Sequence, residues 1–278
     1  MRNKLSWFAV PYVVWMALMV VVPILIMVVY AFTTADFVGT TENFSEMGSY
    51  LSVFLRSFRL ALVATLVCLF IGYPVAYWMA HEGPGFQRVA MALIMLPMWM
   101  NFLLRTYSWM SILENNGLLN QFFKAIGVLE LLGVEYIPMI GTSGAVVIGM
   151  VYNYLPFMIL PIYSVIVKLD GSLLEAARDL GADSAGVFRK VILPLSLPGV
   201  LSGVTMVFVP SVSTFAISRL LGGGNQMMLG DLIELQFLGG AYDPHLGAAI
   251  SMVMMVIVVV CMVLMNRFGE GEEEAVML

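Results

Sequence analysis

Six apolar runs divide this chain, each close to the length of one bilayer crossing. They cover about Trp7–Tyr30, Leu60–Ala80, Val89–Ile112, Gly144–Val167, Pro198–Ile217 and Leu246–Asn266. A hydrocarbon core of ~30 Å takes roughly 20 apolar residues per helix. Within each run the apolar residues are continuous, whereas a barrel strand alternates over about ten residues. Inside lipid every backbone N–H and C=O must be satisfied by the protein itself, so continuous runs of this length predict helices. The expected fold is an all-α polytopic membrane protein with six transmembrane helices. Only 11% of the residues are charged, against ~25% in soluble domains.

Several classes of function fit this chain poorly. Cys68 and Cys261 lie in apolar runs and are too few for a disulfide framework or a metal cage. His81 and His245 stand singly at loop edges and read as solvated. No cluster of nucleophile, base or metal ligands marks a membrane enzyme, so no catalytic residue and no metal site is assigned. No basic cluster supports nucleic-acid binding. Arg2 and Lys4 precede an uncharged stretch from Leu5 to Ala35. That stretch is too long for a signal peptide core and has no small-residue cleavage site, so it reads as an uncleaved first span.

An even number of spans puts both ends on one side, and basic residues select the cytoplasmic one. With the N-terminus inside, the inner segments hold Arg2, Lys4, Arg88, Lys168, Arg178, Arg189, Lys190 and Arg267. The outer loops hold Arg56, Lys124 and Arg219, with Arg59 at a boundary. This orientation gives a membrane domain over 7–266, a cytoplasmic loop over about 168–195 and an acidic cytoplasmic tail over 267–278, read as solvated and disordered. The outer loops are acidic, and a short interfacial helix is expected near Gln226–Leu238, between two glycine-rich turns.

The loop between the fourth and fifth runs is a polar island: Glu175-Ala176-Ala177-Arg178-Asp179-Leu180-Gly181, continuing to Leu193-Pro194. Ser172 and Glu175 have capping-box spacing, which predicts a helix from about Leu173. Gly181 suits a left-handed helix stop. Asp183 or Ser184 would cap a second short helix through Val187, Phe188, Arg189 and Lys190. Pro194 and Pro198 would then end the unit and redirect the chain. Two short capped helices with a glycine joint make a rigid element suited to docking a soluble partner.

This pattern resembles the coupling loop of type I ABC importer permeases, with Val191 where the family usually has Ile. Leu96-Pro97-Met98-Trp99-Met100-Asn101 through Tyr107 resembles the third span of spermidine/putrescine permeases. Val151-Tyr152-Asn153-Tyr154-Leu155-Pro156 through Tyr163, with Lys168-Leu169-Asp170, resembles their fourth. The resemblance covers about Leu60–Leu264 and is closest to the first permease subunit of such importers. It implies the MetI-like permease fold, residence in the bacterial cytoplasmic (inner) membrane and four kinds of partner. These are an ATPase dimer that binds ATP and Mg, a second homologous permease, an extracytoplasmic polyamine-binding protein, and membrane lipid. This chain has no Walker A motif, so neither nucleotide nor any other cofactor is assigned to it.

Under that resemblance, Glu175, Ala176, Ala177, Gly181, Val187, Phe188, Arg189, Lys190 and Pro194 couple to the ATPase. Carbonyls, carboxylates and aromatic faces suit a polycation. The substrate-path candidates are Trp99, Asn101, Tyr107, Tyr152, Asn153, Tyr154, Ser211, Ser213 and Thr214, with Asp231 and Glu234 at the outer mouth. Each has a plainer reading. The aromatics suit belt anchors, the asparagines suit interhelical hydrogen bonds, and the hydroxyl residues suit packing. Arg105 is awkward, because a mid-membrane arginine costs about 2.5–3.5 kcal/mol on insertion scales. It is expected to snorkel outward or to pair with Glu114 or a subunit partner. The loop does not distinguish a polyamine from ferric iron, thiamine or a phosphonate. A sensor or scaffold subunit would not need it.

Overall fold

The computed structural model describes residues 10–240 and 242–276. The main helices are α1 (Val10–Ala31), α2 (Leu51–His81), α3 (Pro84–Met95), α4 (Phe102–Leu113), α5 (Leu118–Ala125) and α6 (Ser143–Ile166). They continue with α7 (Gly171–Asp179), α8 (Ser184–Val187), α9 (Leu193–Val212), α10 (Ala216–Leu221), α11 (Leu229–Leu238) and α12 (Pro244–Val276). Among the described residues five helices are long and apolar enough to cross a membrane, or six if one bent pair counts as a span. The expected start of the first span at Trp7 lies outside the described residues.

The third run departs most from expectation. It is not one straight helix: Pro84–Trp99 and Phe102–Ala125 meet at a bend of 92°. The sequence supplies the cause. Pro97 opens a tight turn over Leu96–Trp99, after which Met100 is extended at ψ 151°. The Asn101 side chain then accepts from the backbone N–H of Leu103 at 2.9 Å and Leu104 at 3.3 Å, starting a new helix. Asn101 is therefore a helix cap, not an interhelical link.

The fifth run also differs. The helix reaches Val212 without separating from the loop, because Ser184–Val212 is one continuous apolar helix. Pro194 and Pro198 do not redirect it. A wide turn over Phe188–Ile192 sits just before Pro194, and such turns absorb a missing donor. The helix stops at Ser213, beyond Pro210, and resumes as α10.

The chain divides into two units, Met1–Ser52 with Leu232–Val259 and Val53–Asp231 with Val260–Leu278. In the first, α1 ends against the start of α12. His245 is buried, stacks on Tyr30 at 4.8 Å and is bonded through Nδ1 to the Tyr30 carbonyl at 3.1 Å. It is not the solvated histidine its loop-edge position suggests. Asn43 donates to the carbonyls of Ala31 and Thr33, which holds the intervening turn.

In the second unit, α6 packs along α9 through a small-residue pair. A Cβ at Gly203 would lie 2.8 Å from Met158 Sδ and 3.1 Å from its carbonyl oxygen, and one at Gly199 would lie 2.9 Å from the Pro161 carbonyl oxygen. Glycines four apart let two backbones approach where lipid supplies no hydrophobic drive. At the far end, the α12 backbone remains helical to Val276. The acidic tail thus continues a helix where disorder was expected, in keeping with the high propensity of Glu and Ala.

Candidate functional site

The loop over 168–195 is anchored on one side and bare on the other. Helix α7 starts two residues earlier than the capping-box reading, because Asp170 accepts from Ser172 N at 2.9 Å and caps it. That bond holds the Asp170 carboxyl below its ordinary value. The helix stops as expected at Gly181, where φ is +84°. Gly181 N donates to the Arg178 carbonyl at 2.8 Å and Ala182 N to the Ala177 carbonyl at 3.0 Å. Asp183 caps α8 through Gly186 N at 2.9 Å.

Of the coupling candidates, Val187 and Phe188 face inward. Val187 is buried, and the Phe188 ring meets Tyr73 at 5.9 Å and Tyr77 at 5.3 Å, both edge-on. Tyr73 shares a 2.8 Å hydroxyl bond with Ser196 near the start of α9. These contacts clamp the loop to α2 and turn both side chains away from its bare face. Beneath α7, Leu174 closes a cavity of about 150 Å³ with His81 and Ile192. Glu175, Ala176, Gly181, Arg189, Lys190 and Pro194 are exposed, and Ala177 is half-buried.

Two residues outside the candidate set join this bare face. Leu180 is 90% exposed and Leu173 is 48% exposed. They are seven apart, with Ala176 and Ala177 between them, so all four lie along one face of α7. The sequence carries that signal in the i, i+3/i+4, i+7 spacing of one helix face.

The substrate-path candidates divide into groups. Trp99 and Tyr107 are exposed, with Asn101 at the break between them. Tyr152 turns its ring edge-on to Trp109 at 5.3 Å along a lateral groove. Asn153 is buried, donates to the Gly149 carbonyl at 2.8 Å and leaves Oδ1 without a partner. Ser211 is fully buried and back-bonds to Val207 O at 2.6 Å.

Other candidates gather where α9 breaks. Tyr154 donates to the Pro210 carbonyl at 3.4 Å and also interacts with Thr214 and Arg105. The Ser213 hydroxyl bonds back to the carbonyls of Val209 and Pro210. These hydroxyls serve carbonyls near a proline that lacks an N–H, which is how such breaks are tolerated in membranes. The start of α11 closes on the same break: a Cβ at Gly230 would lie 2.5 Å from the Ser213 carbonyl oxygen. Asp231 accepts from Met228 N at 2.8 Å and Leu229 N donates to Ser57 Oγ at 2.8 Å. A short helix is therefore present where one is expected, over Leu229–Leu238, and Asp231 caps its start. Glu234, on the same helix, is half-buried.

Arg105 neither snorkels nor sits at an exposed edge. It is only 9% exposed, beside Tyr154, with Nε and Nη1 lacking hydrogen-bond partners. The break thus has a buried guanidinium on one side and the Asp231 carboxylate at the start of α11 on another.

Residues 72–270 match the family of binding-protein-dependent transport system inner membrane components. The spermidine/putrescine transport system permease protein PotB of Escherichia coli (strain K12) is 38% identical over 251 residues, 87% of this chain and 90% of the relative. PotB of Haemophilus influenzae is 38% identical over 245 residues, 85% of this chain and 84% of the relative. Among solved structures, a bacterial ABC transporter involved in import of the acidic polysaccharide alginate superposes with TM-score 0.81 at 14% identity, covering 97% of this chain and 96% of that one. The MetNI methionine ABC transporter gives 0.61 at 18% identity, covering 82% and 98%. These structural likenesses establish the fold of an ABC importer permease.

Proposed function

Because this chain belongs to the binding-protein-dependent transport system inner membrane components, we propose that it is a permease subunit of an ATP-driven spermidine/putrescine importer. The observation that carries the substrate is the 38% identity to polyamine permeases over 87% of the chain. In this reading both termini are cytoplasmic, and a second homologous permease completes the path. A polyamine-binding protein delivers cargo from outside, and a cytoplasmic ATPase dimer holds ATP and Mg. The chain itself binds no cofactor.

The bare face of α7 supports the ATPase contact. Leu173, Ala176, Ala177 and Leu180 present an apolar strip, and Glu175, Arg189 and Lys190 give it charged flanks. An apolar strip that faces the cytoplasm without lipid is a protein contact surface. Closure of the ATPase pushes α7. The caps at Asp170 and Asp183 keep the push from dissipating, and the Phe188 clamp passes it to α2 and α9. The end of α9, with Tyr154, Ser213 and Thr214, is the part of the path placed to respond.

Arg105 favours a second reading with the same machine and a different cargo. A buried guanidinium beside the break repels a polycation and suits an anionic solute or a metal complex better. Of the alternative cargoes, a ferric complex and a phosphonate fit this charge, whereas thiamine, itself a cation, does not. Proteoliposomes carrying the complex separate the two readings. Binding protein loaded with spermidine should raise ATP hydrolysis several-fold over empty binding protein. Stimulation by a ferric or phosphonate complex instead would move the assignment to the second reading.

A further inference from the structure

A groove of about 730 Å³ runs along the outside of the second unit, between α2, α4 and α6. Its lining is almost wholly apolar. On α2 it extends from Arg59 to Ile71, and on α6 from Ser143 to Leu155, with Trp109 of α4 closing one wall. Each helix contributes a stretch of 13 residues, whose ends are about 18 Å apart at 1.5 Å per step. That is close to the hydrocarbon thickness of one leaflet, half of about 30 Å.

The two ends differ in chemistry. At one end lie the guanidinium of Arg59, which is exposed, and the first residues of α6, Ser143 and Gly144. A helix start favours negative charge through its dipole, and an arginine at the edge of a span reaches the headgroup level. The other end, at Ile71 and Leu155, is aliphatic, with the Tyr152 ring one turn away and no charged group. None of the residues at the break in α9 lines this groove, so the two are distinct.

We propose that this groove binds an anionic phospholipid, its acyl chain along α2 and α6 and its phosphate on Arg59. Under the topology proposed above this is a lipid of the outer leaflet. The match of groove length to one leaflet and the single cationic end fit a lipid, whose one acyl chain and one phosphate meet both features. The site does not depend on the cargo, so its failure and the failure of the polyamine reading are separable.

The test counts lipid on the protein extracted from its native membrane with the subunits that accompany it, by native mass spectrometry and phosphate analysis. Nanodiscs of phosphatidylglycerol or phosphatidylcholine then give relative retention. The wild type should keep phosphatidylglycerol in preference to phosphatidylcholine. Arg59→Gln should weaken retention about fivefold, the equivalent of one basic residue at an anionic surface, while Arg59→Lys keeps it. Val147→Trp should empty the groove with Arg59 intact, and thermal stability in detergent shows whether that variant folds. Equal lipid on the wild type and Arg59→Gln would overturn the proposal. So would efficient cross-linking of Ile148→Cys to the accompanying permease, which would place a protein helix there.

Discussion

The ring of Phe188 stands edge-on to Tyr77, with centroids 5.3 Å apart and planes at 88°. One residue opens the wide turn between α8 and α9 and the other lies near the end of α2. The contact makes the polar loop part of the membrane domain, and aromatic pairs of this geometry are worth about 0.5–1.5 kcal/mol beyond their burial. Phe188→Ala should leave the protein inserted but loosen the loop. Trypsin cleavage at Arg189 or Lys190 should become faster in membranes, and transport should fall. Unchanged cleavage would mean that the clamp is not what holds the loop.

Gly181 carries φ +84°, a conformation that costs about 1–2 kcal/mol for a residue with a Cβ. A β-branched side chain is the worst case. Gly181→Val should give normal insertion and ATPase binding, with transport lost and cargo-stimulated ATP hydrolysis abolished. Normal stimulated hydrolysis in that variant contradicts the role given to the joint.

Leu173 and Leu180 project from α7 with little support from the rest of the chain. The double variant Leu173→Ser, Leu180→Ser should therefore leave thermal stability within about 0.5 kcal/mol of the wild type, as for surface changes generally. Copurification of the ATPase should drop sharply. Retention of the ATPase at wild-type level would remove these residues from the contact.

Gly203 lies against Met158. Gly203→Leu adds a side chain where a single Cβ already meets Sδ at 2.8 Å, and overpacking of this kind costs about 1–3 kcal/mol. The variant should melt several degrees lower in detergent, and Gly203→Ala less so. Equal melting temperatures would show that α6 and α9 separate freely there.

Asp170 gives a pH signature. Its folded pKa lies below the ordinary 3.8 because it accepts from Ser172. A depressed carboxylate pKa stabilises the fold above the unfolded value, and that contribution disappears as pH falls through the folded value. The cap is therefore complete at neutral pH and lost only in strong acid. Hydrogen exchange at α7, corrected for intrinsic rates, should accelerate below pH 3.8 in the wild type and far less in Asp170→Asn, whose amide caps at any pH. Identical acid profiles would contradict the assignment.

The long spans were legible because lipid imposes one requirement, continuous apolar helix, and the sequence meets it plainly. The glycine stop at Gly181 and the cap at Asp183 were legible because each rests on one residue's local chemistry. The breaks were not. By residue type Asn101 suits a substrate path or a bond across helices, yet it caps a helix, and only the extended Met100 ahead of it makes that possible. Pro194 suits a helix end, yet the wide turn before it lets the helix continue. Burial at a single loop-edge residue also escaped the sequence. His245 is inside because Tyr30 covers it, a contact 215 residues distant along the chain. The path candidates were chosen by residue type, and type does not say which face of a helix is turned inward.

The central claim is polyamine transport through this chain. It is measured most directly as uptake of labelled spermidine and putrescine by polyamine-auxotrophic cells that lack their own importer. The cells carry the native ATPase, second permease and binding protein, with and without this chain. The account predicts energy-dependent uptake only when the chain is present. An assembled complex that takes up neither polyamine would contradict it and transfer the search to the anionic and metal-complex cargoes that Arg105 favours.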